Sequence, residues 1–123
     1  MSFCTVLNCM DGRAQLPVIN YLKKKFNAEY VDSITEPGIN LLLSECETLP
    51  EQIKNKIDIS VNKHLSNSIA VVGHYDCAAN KASDEEQKNH IINAARLLKN
   101  NYEACNVIGL WVNSNWEVIE IIY

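Results

Sequence analysis

Basic charge, long apolar runs, glycine and proline are all scarce in this chain of 123 residues, and each scarcity closes off a class of function. It has two arginines, scattered lysines and a formal net charge of -4, so it lacks the basic stripe that a nucleic-acid binder presents. No nucleic-acid partner is expected. No apolar run approaches the roughly 20 residues needed to cross a bilayer, so no membrane partner is expected either. Four glycines and three prolines leave no low-complexity tract, no linker and no internal repeat. The start, Met1-Ser2-Phe3-Cys4-Thr5-Val6-Leu7, has neither the positive region nor the small-residue cleavage site of a signal peptide. It reads as a strand, with the cytoplasm as the expected location.

What is present is an apolar fraction of 47%, enough in this length for one compact domain over residues 1–123 whose core needs no disulfide. Five cysteines are an odd number, and in a reducing compartment they favour metal binding or buried thiols over a disulfide framework.

Residues 3–8 read as a short buried strand, followed by Leu16, Ile19, Leu22 and Phe26 at helical spacing. Pro17 suits the first turn of that helix, and Lys23, Lys24 and Lys25 fall near its C-terminal end, where the helix dipole favours cations. Residues 28–35, with Tyr30, Val31 and Ile34, predict a second strand ended by Pro37-Gly38. Periodicity over residues 39–46 is too short to decide between helix and packed loop. Thr48-Leu49-Pro50-Glu51 has the form of a capping box, after which Ile53, Ile57, Val61 and Leu65 recur every fourth residue. Residues 68–73 are apolar without alternation, as in a central parallel strand covered on both faces. Ser83-Asp84-Glu85-Glu86 predicts a second capping box, opening a helix with the stripe Ile91, Ala95, Leu98 and Tyr102. Residues 106–112 form another apolar strand, and 116–123 return antiparallel after the turn Asn113-Ser114-Asn115. This alternation implies a three-layer, doubly wound α/β domain with a mostly parallel sheet, order about 2-1-3-4-5, and an antiparallel C-terminal edge strand.

In that order the first and third strands are neighbours, and the crevice at their carboxyl ends is the topological switch point. Cys9-Met10-Asp11-Gly12-Arg13 leaves the first strand there, and Gly73-His74-Tyr75-Asp76-Cys77 leaves the third. Two thiolates and an imidazole are ligands that zinc accepts in tetrahedral geometry, and three protein ligands leave a fourth position open. The competing account makes Cys9 and Cys77 small buried hydrophobes. Asp11 and Arg13 flank the same turn and are able to pair through two parallel hydrogen bonds. Beside a metal, Asp11 would accept a hydrogen bond from water in the open position, provided Arg13 keeps it from becoming a ligand itself. Away from a metal, the pair would only brace a loop.

Cys9-x-Asp11-x-Arg13 followed by His74-x-x-Cys77 resembles the metal signature of β-class carbonic anhydrases. The resemblance implies that Cys9, His74 and Cys77 bind Zn2+ and that the Asp11–Arg13 dyad gates the fourth position. It also implies a parallel-sheet α/β fold, a homodimer, and reversible hydration of carbon dioxide to bicarbonate by a metal-bound hydroxide. This sequence departs from the pattern in beginning directly at the first strand, in Ala78-Ala79-Asn80 where the family favours glycines, and in Thr35-Glu36-Pro37-Gly38 where an Asn-Ala-Gly-Asn type loop is usual. The pocket wall is therefore expected to differ.

Two thiolates cancel the formal charge of Zn2+, so water is acidified less than at an all-histidine site, where its pKa is about 7. Glu36 would discourage ionisation further if it entered the crevice; exposure to solvent is its other placement. Tyr75 and Asp76, between the ligands, either contact the site or pack the loop. His64 and His90 sit on helices and need no chemical role. Cys4, Cys46 and Cys105 are expected to be buried. Trp111 and Trp116 flank the terminal turn and would form a cross-strand pair or a dimer contact. Two other functions compete with a small lyase acting on carbon dioxide or a related electrophile. One is a non-catalytic zinc protein of the same fold, and the other uses Cys9 as a redox or nucleophilic thiol activated by a helix N-terminus and Arg13.

Overall fold

Ser68–His74 is buried at every position, as an apolar run without alternation must be when both faces of its sheet are covered. The structure, a computed structural model, describes residues 2–123. Its strands are β1 (Phe3–Asn8), β2 (Tyr30–Thr35), β3 (Ser68–His74), β4 (Asn106–Val112) and β5 (Val118–Ile121). They form one sheet in the order β2-β1-β3-β4-β5. The first four pair parallel, and β5 returns antiparallel with Val118 opposite Val112. The α/β class, strand order and antiparallel edge strand are those expected from the sequence.

One helix covers one face and three cover the other. Helix α1 (Gln15–Lys25) buries Val18 and Leu22 against Cys4, Val6, Ala70, Val72 and Leu110. On the opposite face α2 (Ile39–Ser44), α3 (Glu51–Asp58) and α4 (Asp84–Asn101) bring Ile39, Leu43, Ile53, Ile57, Ile91 and Leu98 onto Leu7, Ile69 and Val71. Each fully buried Leu or Ile side chain contributes about 1.5–3 kcal/mol. Helix α4 approaches the sheet closely because Gly73 and Gly109 leave a notch for Ile91. A Cβ on Gly109 would lie 2.5 Å from Ile91 Cγ2, and one on Gly73 would lie 3.0 Å from Ile91 Cδ1.

Ser83 caps α4 as expected, its Oγ accepting the Glu86 N–H at 3.2 Å. The three lysines occupy the last turn of α1, and Lys25 pairs with Glu120 of β5 at 2.8 Å. Residues 39–44, undecided from sequence, are helical.

Elsewhere the chain departs from the pattern. Thr48 is not a cap: Pro50 is the N-cap residue of α3 and no side chain accepts there, because the extended ψ of Pro50 (136°) delays the helix to Glu51. The apolar stripe that begins with Ile53 and Ile57 in α3 stops at Val61, beyond the end of that helix. A π-helical turn over Ile59–Lys63 shifts the angular phase, leaving Leu65 exposed at φ 59°. On α1 the buried face is Val18 and Leu22, continuing Ala14 at i+4 spacing, so Leu16 is 65% exposed. Strand β2 starts at Tyr30, since the Ala28 N–H still bonds back to Lys23 O. Trp111 and Trp116 do not pair. Trp111 lies in the core under α2 and α4, whereas Trp116 is in the hairpin turn and packs on the α1 face.

Candidate metal centre

From β1 the chain crosses to β2 through α1 on one face, and from β3 it crosses to β4 through α4 on the other. The two connections diverge, so a crevice opens between the carboxyl ends of β1 and β3. Cys9 immediately follows β1, His74 ends β3, and Cys77 lies in the turn beyond it. Their candidate ligand atoms all lie within 4.8 Å of one another, and the two sulfurs are 3.9 Å apart. Two zinc–sulfur bonds of about 2.3 Å at the tetrahedral angle require about 3.8 Å between sulfurs, whereas a disulfide requires about 2.0 Å.

The imidazole is oriented by a backbone carbonyl. His74 Nδ1 lies 2.8 Å from the Tyr75 carbonyl and donates to it, which leaves the lone pair on Nε2. That Nε2 is buried and, among the described residues, has no hydrogen-bond partner. An orphaned buried acceptor is costly unless something else satisfies it, and a cation beside two sulfurs would do so. The donor set therefore fits a tetrahedral, sulfur-tolerant ion.

Titration follows the geometry. Burial raises the Cys9 pKa, but the His74 imidazole and the Gly38 and Asp11 backbone N–H groups outweigh it, leaving the value at about 7. Burial and the neighbouring Cys9 sulfur raise that of Cys77. His74 is raised too, burial being outweighed by Cys9, the Tyr75 carbonyl and Asp11. Two thiolates this close repel, so a bound dication is what would let both ionise.

Glycine and amides set the loops. Gly38 has φ 56°, and its N–H points at Cys9 Sγ at 3.5 Å. A Cβ there would be 3.1 Å from the Ala79 carbonyl oxygen, so only glycine lets the two loops close together. Behind Cys77, the Asn80 N–H reaches the Cys77 carbonyl at 3.4 Å and Asn80 Nδ2 donates to His90 Nδ1 at 3.0 Å. Gln87 Nε2 donates to the Asn80 carbonyl at 3.3 Å, and Asn40 Nδ2 donates to Gln87 Oε1 at 3.3 Å. This buried amide cluster ties the Cys77 turn to α2 and α4.

Asp11 opens the 3-10 turn Gly12–Ala14. Its Oδ1 accepts the Arg13 backbone N–H at 2.9 Å and Nε at 3.1 Å, and its Oδ2 accepts Arg13 Nη2 at 2.7 Å. These bonds, led by the guanidinium, hold the Asp11 carboxyl down at about 2 despite some burial. Asp11 Oδ2 is 4.0 Å from His74 Nε2, so the carboxylate borders the ligand trio. Gln15 Nε2 donates to the carbonyls of Cys9 at 2.7 Å and Asp11 at 2.9 Å, fixing the loop between them.

All five residues singled out in the two motifs thus converge on one crevice. Tyr75 is 43% exposed and contributes only its carbonyl to His74, while Asp76 bonds Arg13. Glu36 is half-buried, its N–H on the Asn8 carbonyl. His64 bonds Asp32 at 2.7 Å and stacks on Phe3, away from the crevice, and His90 serves Asn80. Cys4 and Cys105 are buried, whereas Cys46 is half-buried with its thiol on the Leu42 carbonyl. Sequence reasoning missed Gln15, Asn40, Asn80, Gln87 and the placement of Trp116. Only Gly38 carried a signal, the Pro-Gly turn.

A family described as "Putative carbonic anhydrase" matches residues 1–122 of this chain. Among solved structures, the chain is similar to β-carbonic anhydrase isoform I of the protozoan Trichomonas vaginalis. The identity is 15%, with 97% of this chain and 81% of that chain covered at a TM-score of 0.68. It is similar to carbonic anhydrase from Streptococcus mutans at 15% identity, with the same coverage of 97% and 81% and a TM-score of 0.69. A carbon disulfide hydrolase in its apo form matches at 12% identity over 98% of this chain and 80% of that chain, with a TM-score of 0.65. At such identities the likeness is one of fold. Sequence comparison with curated proteins finds no match.

Proposed function

The chain belongs to this carbonic anhydrase family, and from that premise we propose that it is a zinc-dependent lyase hydrating carbon dioxide or a related small electrophile. The observation that carries the proposal is a carboxylate fixed by an arginine at the edge of a Cys–His–Cys group whose histidine lone pair is otherwise unsatisfied.

Cys9 Sγ, His74 Nε2 and Cys77 Sγ would hold the ion. When bound, zinc supplies Lewis acidity and lowers the pKa of water. The Tyr75 carbonyl keeps the His74 proton on Nδ1, so Nε2 would offer its lone pair to the ion. The Gly38 N–H at the Cys9 sulfur would withdraw charge from it and so moderate the cancellation of a bound ion's charge by two thiolates. Asp11 stays ionised throughout the working pH range, so it acts as a hydrogen-bond acceptor and not as a proton store. With the ion in place, it would accept a hydrogen bond from the acidified water and so orient that water toward a small electrophile. Arg13 occupies both Asp11 oxygens and opposes direct ligation.

A homodimer is part of this reading, and Met10, next to Cys9 in the chain, and Leu16, in the first turn of α1, are 63% and 65% exposed and so available to a partner. Light scattering during size-exclusion chromatography tests that assembly. The activity is tested by stopped-flow hydration of carbon dioxide with zinc-loaded protein up to pH about 9, where the acidified water is available. Metal-dependent turnover is expected, with a loss of about 10–100-fold in Asp11→Asn. Stoichiometric zinc without turnover of carbon dioxide or carbon disulfide would establish the non-catalytic alternative.

A further inference from the structure

Arg13 is held by more than Asp11. Its Nη1 donates to Asp76 Oδ2 at 3.2 Å, and its Nη2 donates to the Asp76 carbonyl at 3.2 Å. On the remaining side its guanidinium carbon lies 4.6 Å from the Trp116 ring centroid, in cation–π contact. The same indole is tilted against the His74 imidazole at 6.2 Å between centroids.

Both holding residues adopt backbone conformations that favour glycine. Asp76 has φ 57° and Trp116 has φ 60°, in the left-handed region that is costly for most side chains and especially for a bulky one. Surrounding structure enforces each. Asp76 is confined between the His74 and Cys77 positions by the Tyr75 N–H, which bonds the Val112 carbonyl at 2.9 Å. Trp116 is confined by the hairpin. Asn113 Oδ1 accepts the N–H groups of Asn115 and Glu117, both at 3.0 Å, while the Trp116 N–H reaches the Asn113 carbonyl at 2.9 Å.

Arg13 and Asp11 are only two residues apart and share one turn, so their pairing alone fixes them to each other and not to the ligand turn. The Arg13 side chain is 47% exposed, so solvent competes for every one of its bonds. Contacts from the turn after β3 and from the β4–β5 hairpin remove that freedom from two independent directions.

We propose that Asp76 and Trp116 are positioning residues that clamp Arg13, and through it hold Asp11 beside the Cys9–His74–Cys77 group as an acceptor instead of letting it close the group as a fourth ligand. The consequence for the ligand group rests on the zinc reading above. The clamp itself does not, and is measurable without metal.

In metal-free protein, side-chain 15N relaxation of the Arg13 Nε–H reads the clamp directly. An order parameter near that of rigid backbone, about 0.85, is expected in the wild type, falling below about 0.6 in Asp76→Asn with Trp116→Leu. Trp116→Phe, which keeps an aromatic face, restores most of the order. Asn tolerates positive φ, so Asp76→Asn alone provides a folded variant if the double substitution does not fold. An unchanged Arg13 order parameter in both Asp76→Asn and Trp116→Leu overturns the proposal.

Cobalt(II) in place of zinc then reads the consequence. Azide is expected to shift the visible absorption of the wild type and to leave the double variant unchanged, with Asp11→Asn in that background restoring the shift. An azide shift that persists in the double variant overturns the positioning role. Failure of the wild type to take up cobalt at all refutes the zinc reading, while the relaxation measurement still decides the clamp.

Discussion

Zinc should stabilise this fold by an amount that can be worked out beforehand. The sulfurs of Cys9 and Cys77 are already 3.9 Å apart, against the roughly 3.8 Å that a tetrahedral ion needs, so loading demands little rearrangement. With free zinc a thousandfold above its Kd, binding to the folded chain alone adds about 4.1 kcal/mol. Unfolding 123 residues carries an entropy near 0.26 kcal/mol/K, which converts that gain into a rise in Tm of about 16 °C. Scanning fluorimetry with zinc, and again after chelation, measures it. The rise should vanish in Cys9→Ser and His74→Ala and persist in Cys46→Ser, whose thiol bonds the Leu42 carbonyl elsewhere. It should also shrink as pH falls, because Cys77 and His74, both raised, hold protons that zinc must displace. A rise below about 3 °C at saturating zinc, or an undiminished rise in Cys9→Ser, would refute the assignment of this trio.

Three further outcomes follow from the packing and charge. Asp11 titrates at about 2 in the folded chain against 3.8 as the ordinary value, so its contribution is complete above about pH 4 and is lost as pH falls toward 2. Melting of metal-free wild type and Asp11→Asn should therefore differ most above pH 4 and converge near pH 2; a constant gap contradicts this. Gly38→Ala places a side chain at φ 56° and 3.1 Å from the Ala79 carbonyl, costing at least about 1–2 kcal/mol and weakening zinc binding through the Gly38 N–H to Cys9. Unchanged Tm and zinc affinity would show that neither contact matters. Gly109→Ala fills the notch for Ile91 and should cost about 1–3 kcal/mol, or about 4–12 °C, in calorimetry. The increment from zinc should be unaffected, and a loss of zinc binding would mean that the two regions are coupled.

The architecture was legible where local pattern and tertiary environment agree. The unbroken apolar run at 68–73 signals a strand covered on both faces, and Ser83 sits where an 18-residue helix needs a hydroxyl acceptor. Legibility failed where long-range packing overrode a local rule. Thr48 has the right partner at Glu51, but Pro50 between them sets a different entry into α3. Leu16 has helical spacing, yet which stripe faces the sheet depends on where Ala14 is anchored. The π-helical turn at Ile59–Lys63 leaves no trace in periodicity, and the six residues of α2 are too few to display one. At the crevice, the cysteines, histidine and Asp–Arg pair stood out because their chemistry is rare and their positions follow strand ends. Asn40, Asn80 and Gln87 are ordinary amides that acquire meaning only when α2, α4 and the Cys77 turn meet.

Strain and unmet polarity are distributed unevenly, and that pattern bears on function independently of any motif. Five described residues have positive φ, and three of them touch the crevice: Gly38 through Cys9, and Asp76 and Trp116 through Arg13. Among the described residues, the buried side-chain atoms lacking a hydrogen-bond partner are Asn8 Oδ1 and His74 Nε2, at the carboxyl ends of β1 and β3. A core optimised for stability alone would place relaxed backbone and satisfied amides there, since each exception costs free energy. Random drift would scatter such exceptions through the fold. Their concentration around one group of ligand atoms argues that the crevice, and not merely the sheet beneath it, is what this sequence maintains.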